Sequence, residues 1–183
     1  TTKIDIEALL ADAGECEAEL RALVELERAN RRALRELERE LERLQKELEA
    51  AKKAAENTDE KIDEKAGNAD DLAADEGEID DAQEELDDAE DDKDDAQNNA
   101  SQAQSAANSG NPTQAQQLIQ QALQKIQSAR QKLQNGRSKT SAVRTRTNAR
   151  PDRECRDGDV KEGPWSLPRF EATRVLDIGV CPQ

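Results

Sequence analysis

The sequence predicts an elongated, all-α protein: a long heptad-repeat helical hairpin and a shorter third helix, forming a coiled coil or three-helix bundle, with a small extended, disulfide-stapled C-terminal tail. Three observations predict it. Leu, Ile, Val and Phe make up only 30 of 183 residues, and there is one Trp and one Phe. That is too little apolar volume for a thick globular core. Charged residues are 38% of the chain, a composition that by itself falls among candidates for disorder. Periodicity argues the other way, because apolar residues recur with 3-4 spacing through most of the first half, as in a coiled-coil seam.

The first helix is expected over residues 4–56. One set of seam positions is Ile6, Ala13, Leu20, Glu27, Leu34, Leu41, Leu48 and Ala55; the other is Leu9, Cys16, Leu23, Asn30, Leu37, Leu44 and Ala51. Leu10, Val24, Leu26 and Ala33 widen the face, which suggests contact with more than one partner helix. Glu27 and Asn30 interrupt the seam at one level, either as a register-fixing polar layer or as a local wet spot. Leu20, Leu23, Leu34, Leu37, Leu41, Leu44 and Leu48 are the expected assembly seam. Cys16 sits in the same seam, as a small core residue or as a cross-link to a neighbouring chain.

A second helix is expected over 58–108. Asn57-Thr58-Asp59-Glu60 resembles a capping box and places a turn near Asn57. Leu72, Ile79, Leu86, Lys93, Ala100 and Ala107 follow at seven-residue intervals, interleaved with Ala82, Ala89, Ala96 and Ala103. This strip is too thin to stand alone and needs the Leu-rich face of the first helix or another chain. Two alternatives remain open: Gly67-Asn68 as the turn, or a single continuous helix of about 100 residues, roughly 150 Å long.

Ser109-Gly110-Asn111-Pro112 is the clearest break, with Asn111 as cap and Pro112 at the first helical position. The third helix is expected over 112–135, with Ala115, Leu118, Ile119, Ala122, Leu123, Ile126, Ala129 and Leu133 on one face and Asn135-Gly136 as its stop. Residues 137–183 then read as a separate basic extended arm and stapled tail. Val143-Arg144-Thr145-Arg146-Thr147 alternates like a strand. Arg144, Arg146, Arg150, Phe170, Leu176 and Ile178 are its candidate contacts with a neighbour, and Cys155 and Cys181 its candidate disulfide.

Charge is segregated. Residues 59–95 hold 20 acidic and 3 basic side chains, whereas residues 96–151 hold 8 basic and no acidic ones. Either the acidic block is a plain solvated face, or it meets the basic segment within one subunit or between subunits. With a net charge of −15 and no aromatics among the arm's arginines, a nucleic-acid partner is not expected. No stretch approaches the roughly 20 apolar residues of a membrane span. The Asp-rich run lacks the spacing and turning Gly of a calcium loop, which leaves only weak divalent-cation binding by the acidic helix.

The chain has no His, and so lacks the commonest general base and metal ligand. No catalytic set, metal site or cofactor is expected. The chain begins at Thr1 and contains no Met, which fits a processed mature protein or one whose leader has been trimmed. The resulting expectation is a structural subunit of an extracellular or cell-surface filament, appendage or stalk, whose partner is itself. The alternative is a discrete coiled-coil adaptor, scaffold or periplasmic chaperone-like module.

Overall fold

The computed structural model describes the backbone of residues 6–153 and the side chains of residues 10–153. Three helices run up, down and up: α1 (Ile6–Glu64), α2 (Ala69–Asn108) and α3 (Pro112–Ala149). They form an all-α bundle, and no described helix is long and apolar enough to cross a membrane. The chain is therefore a helical hairpin with a third helix and not one continuous rod.

The first turn lies eight residues beyond the capping-box motif. Thr58 is buried inside α1, where its hydroxyl donates to the Ala54 carbonyl at 2.7 Å. The seam explains why the helix runs on. Ala55, Thr58 and Ile62 continue the 3-4 spacing, and Ile62 packs with Leu72, Ile79 and Val143. Breaking the helix at Asn57 would forfeit the burial of Ile62, about 2 kcal/mol. The reversal comes instead at Gly67-Asn68. The Asn68 side chain accepts from the Asp70 amide, and Asp70 and Asp71 in the first turn suit the positive end of the helix.

The second turn is as the sequence reads. Gly110 takes the left-handed conformation (φ +74°), and Asn111 caps α3 by accepting from the Gln114 amide at 3.2 Å.

The third helix corrects the expected boundary. Asn135-Gly136 does not stop it, and residues 137–149 are helical, neither a strand nor an extended arm. The buried positions of α3 are Ala115, Ile119, Ala122, Ile126, Ala129, Leu133, Gly136, Thr140, Val143 and Thr147, an unbroken 3-4 series. Gly136 is a seam residue chosen for size. A Cβ there would meet Leu86 Cγ at 2.8 Å and the Ala82 carbonyl oxygen at 3.0 Å, so the glycine lets α2 and α3 approach closely. The β-favouring run around Val143 is overridden by this packing. After α3 the backbone folds onto the first turn: Ala66 donates to the Pro151 carbonyl and Arg153 to the Glu64 carbonyl, each at 2.9 Å. The stapled-tail expectations for Cys155, Cys181, Phe170, Leu176 and Ile178 lie outside the described residues.

The core is a single stack along the bundle. Leu37, Leu41, Leu44, Leu48, Ala51 and Ala55 of α1 pack against Leu86, Ala89, Ala96 and Ala100 of α2 and Ala122, Ile126, Ala129 and Leu133 of α3. Leu34, Ala103 and Ile119 close one end. The small residues of α2 accept the large ones of α1, which is how a chain this poor in large apolar groups reaches close packing.

Candidate functional site

Two features stand out once the bundle is assembled: a reach of α1 that no other described element covers, and a charged ladder between α2 and α3.

Leu34, Leu37, Leu41, Leu44 and Leu48, five of the seven residues expected to join subunits, are buried by the chain's own α2 and α3. They are not available to a neighbour. The other two, Leu20 and Leu23, are 62% and 47% exposed. Coverage begins at Asn30, which is buried and whose side-chain amide donates to the Pro112 carbonyl at 2.7 Å. Above that level α1 continues past the α2–α3 turn, alone among the described elements. Leu10 and Val24 are 68% and 44% exposed on the same side, and Cys16 is exposed and free. Glu17–Arg21 and Glu27–Arg31 pair within the helix at 2.5 Å. Residues 10–29 span about 30 Å at 1.5 Å per residue. Exposed large apolar residues on one helical stripe mark a contact surface more often than isolated ones do.

The α2–α3 edge resolves the two readings of the charge blocks. The acidic block meets the basic segment within one subunit. Lys125 lies 2.8 Å from Asp95, Lys132 3.6 Å from Asp88 and Lys139 3.8 Å from Asp81. Each rung is displaced by seven residues up one helix and seven down the other, as antiparallel heptads require. The signal was present in the sequence as the series Lys125, Lys132, Lys139 and Arg146, but it is visible only when the third helix is allowed past Gly136. A second, parallel series joins α3 to α1: Arg130 pairs with Glu40, and Arg137 with Glu47 at 3.6 Å. Exposed pairs of this kind contribute little energy each. Their repetition sets which helix lies beside which, and in what register.

Two carboxylates in the ladder are buried. Asp92 accepts from the Ser128 hydroxyl at 2.6 Å and lies 2.9 Å from both Lys125 and Lys132. Burial pushes its carboxyl upward, but the Ser128, Lys132 and Lys125 hydrogen bonds overcome this and hold it at about 2. The same contacts raise both lysines: Lys125 chiefly through Asp95 and Asp92, Lys132 chiefly through Asp92. Asp75 occupies a seam position between Leu72 and Ile79. Arg146 Nε donates to its Oδ1 at 2.9 Å. Arg150 Nη1 approaches its Oδ2 at 2.6 Å but off the hydrogen-bonding direction, so that contact is ionic only. Asp59 shows the opposite behaviour to Asp92. Desolvation, then the nearby Asp80 and Asp63 charges, raise its pKa.

Arg146 and Arg150, expected to reach a neighbour, are thus engaged with their own α2. Arg144 is exposed and forms no ion pair among the described residues; it borders a groove with Ala54, Asn57 and Glu60. Among the described residues no group of three or more acidic or cysteine side chains is arranged to hold a metal ion. An open groove between α1 and α3 is lined by Glu47, Arg130, Arg137, Ser138, Ser141 and Thr145. Its carboxylate is paired with Arg137 at 3.6 Å, and the Thr145 hydroxyl donates to the Ser141 carbonyl at 2.8 Å. No protein-family model, curated protein or solved structure matches this chain.

Proposed function

We propose that this chain is a non-enzymatic structural subunit that associates with copies of itself, as a building block of an extracellular or cell-surface filament, appendage or stalk. The observation that carries the reading is the uncovered apolar stripe of α1. The bundle holds out about 30 Å of helix whose large apolar residues Leu10, Leu20, Leu23 and Val24 are exposed among the described residues. Leaving Leu10, Leu20, Leu23 and Val24 in water forgoes the favourable burial that each would gain at an interface. The charged ladder supports the reading from the other side. It pairs the buried Asp92 and Asp75 with Lys125, Lys132, Arg146 and Arg150 of α3 and so fixes the register of the helices that hold α1 out.

A discrete coiled-coil adaptor, scaffold or periplasmic chaperone-like module is the second reading. It is favoured by the engagement of Arg146 and Arg150 within their own bundle, which removes two of the groups that would have reached a second neighbour. Negative-stain electron microscopy of the full chain, at moderate salt and without reductant, separates the two. Regular fibres are the expected result. Rods of one short length at every concentration would overturn the filament reading in favour of the adaptor.

A further inference from the structure

The partner that fits the uncovered reach of α1 can be specified from the bundle's own geometry. The exposed positions Ala13, Cys16, Leu20 and Leu23 belong to the same 3-4 series as the buried Leu34, Leu37 and Leu41, on one uninterrupted helix. The uncovered face is therefore continuous with an interface already made, and what covers that interface below Asn30 is antiparallel and parallel helix from the same chain. A second α1 lying parallel and in register on this face meets an obstruction. Beyond residue 30 it would run into the α2–α3 turn at Ser109–Pro112, which sits on the seam at that level. Two straight helices that each carry such a bundle cannot share the seam in the parallel sense. In the antiparallel sense they can, because each bundle then lies beyond the far end of the other's uncovered reach.

We propose that the uncovered face of α1 pairs antiparallel with the same face of a second copy, giving a two-fold rod with a bundle at each end. This rests on the self-association reading above. Antiparallel heptads place one seam set against the other. The register that covers the four exposed large apolar residues of α1 sets Cys16 against Leu20 of the second copy and Ala13 against Leu23. It also lays Leu10 beside Val24 on the flank. In that register the two Cys16 residues are offset by four positions, about 6 Å along the axis, on helices about 8–10 Å apart. Their Cα atoms are then beyond the roughly 4.4–6.8 Å that a disulfide requires. A parallel pair would instead face Cys16 with Cys16.

Sedimentation equilibrium of the full chain with reductant, at dilutions below those that give fibres, is expected to give twice the 20.2 kDa chain mass, the pair from which a fibre would be built. Leu20→Glu combined with Leu23→Glu is expected to give the monomer with the helical content of the bundle retained, because Leu20 and Leu23 are 62% and 47% exposed and lie outside its core. Oxidised Leu20→Cys is expected to yield an interchain peptide joining Cys16 to the new cysteine. A monomer at all concentrations, a trimer or tetramer, or a Cys16–Cys16 link in the unmodified chain would overturn the pairing. Fibres bearing the Cys16–Cys16 link would leave self-assembly standing and overturn only the antiparallel contact. Antiparallel dimers that never lengthen would keep the contact and overturn the filament reading.

Discussion

Asn30 on α1 and Pro112 at the start of α3 are joined by a 2.7 Å hydrogen bond across 82 positions of sequence, and that bond marks where the bundle ends and the solitary reach of α1 begins. One of the two polar interruptions in the seam thereby acquires a specific role. Asn30 is buried against the turn it anchors, whereas Glu27, one turn away, pairs with Arg31 on the uncovered side. Asn30→Ala removes the donor while keeping the helix. The expected cost is about 1 kcal/mol, seen as a lower urea midpoint with an unchanged slope. A variant as stable as the parent would show that the contact positions nothing.

Two of the helix-interior glycines, Gly136 and Gly77, predict opposite signs for one substitution. A Cβ at Gly136 would lie 2.8 Å from the branching carbon of Leu86 and 3.0 Å from a backbone oxygen, neither of which yields easily. Overpacking costs about 1–3 kcal/mol and exceeds the helix-propensity gain of up to about 1 kcal/mol. Gly77 in α2 has nothing within 4 Å of the same position. Gly136→Ala should therefore lower the urea midpoint and Gly77→Ala should raise it, the latter by about 0.5–1 kcal/mol. Equal signs would mean that close approach at Gly136 is not what holds α2 to α3.

Those glycines also show what was legible in the sequence. The seam of α1 from Leu34 to Ala55 and the apolar positions of α2 from Leu72 to Ala103 are legible, because Leu and Ala at 3-4 spacing have no other economical use in so polar a chain. The buried Asp75 and Asp92 are not, and Asp92 and Ala106 take the seam places expected for Lys93 and Ala107. The Asn111-Pro112 turn was equally plain. What failed was local punctuation. The run Asn57 to Glu60 resembles a capping box, Asn135-Gly136 a stop and Val143 to Thr147 a strand, and each instead lies within a longer helix to which it gives buried seam residues: Thr58, Gly136, and Val143 with Thr147. Their meaning depends on what packs against them, and no local pattern carries that. The same limit hid the site. The seam of α1 is uniform in sequence, and only the level of the α2–α3 turn separates buried Leu34 from exposed Leu23.

Asp75 tests whether the buried charge cluster organises the end of the bundle near the first turn. Its carboxylate is 3% exposed and faces Arg146 and Arg150. Asp75→Ala leaves Arg150 largely buried without its counter-charge, a change expected to cost about 3 kcal/mol in urea unfolding. Replacing Asp75 and Arg150 together by Leu removes both halves of the problem and should recover most of that loss. A double variant as unstable as the single one would show that the ion pair itself, and not the cost of stranding a charge, carries the stability.

Asp92 gives the fold a defined sensitivity to acid. Its folded-state pKa of about 2 lies below the ordinary value of 3.8, despite burial, because Ser128, Lys132 and Lys125 hold the ionised form. In the unfolded chain the carboxyl takes up its proton first as pH falls. The stabilisation is therefore complete above about pH 4 and is lost as pH falls toward 2. Its size is about 2 kcal/mol at neutral pH. Asp92→Asn keeps the shape and removes the charge. Urea unfolding should show the variant weaker than the parent at pH 7, with the gap closing between pH 4 and pH 2. A gap that stayed constant over that interval would mean that Asp92 acts by packing, and that the rungs of the α2–α3 ladder do not depend on its charge.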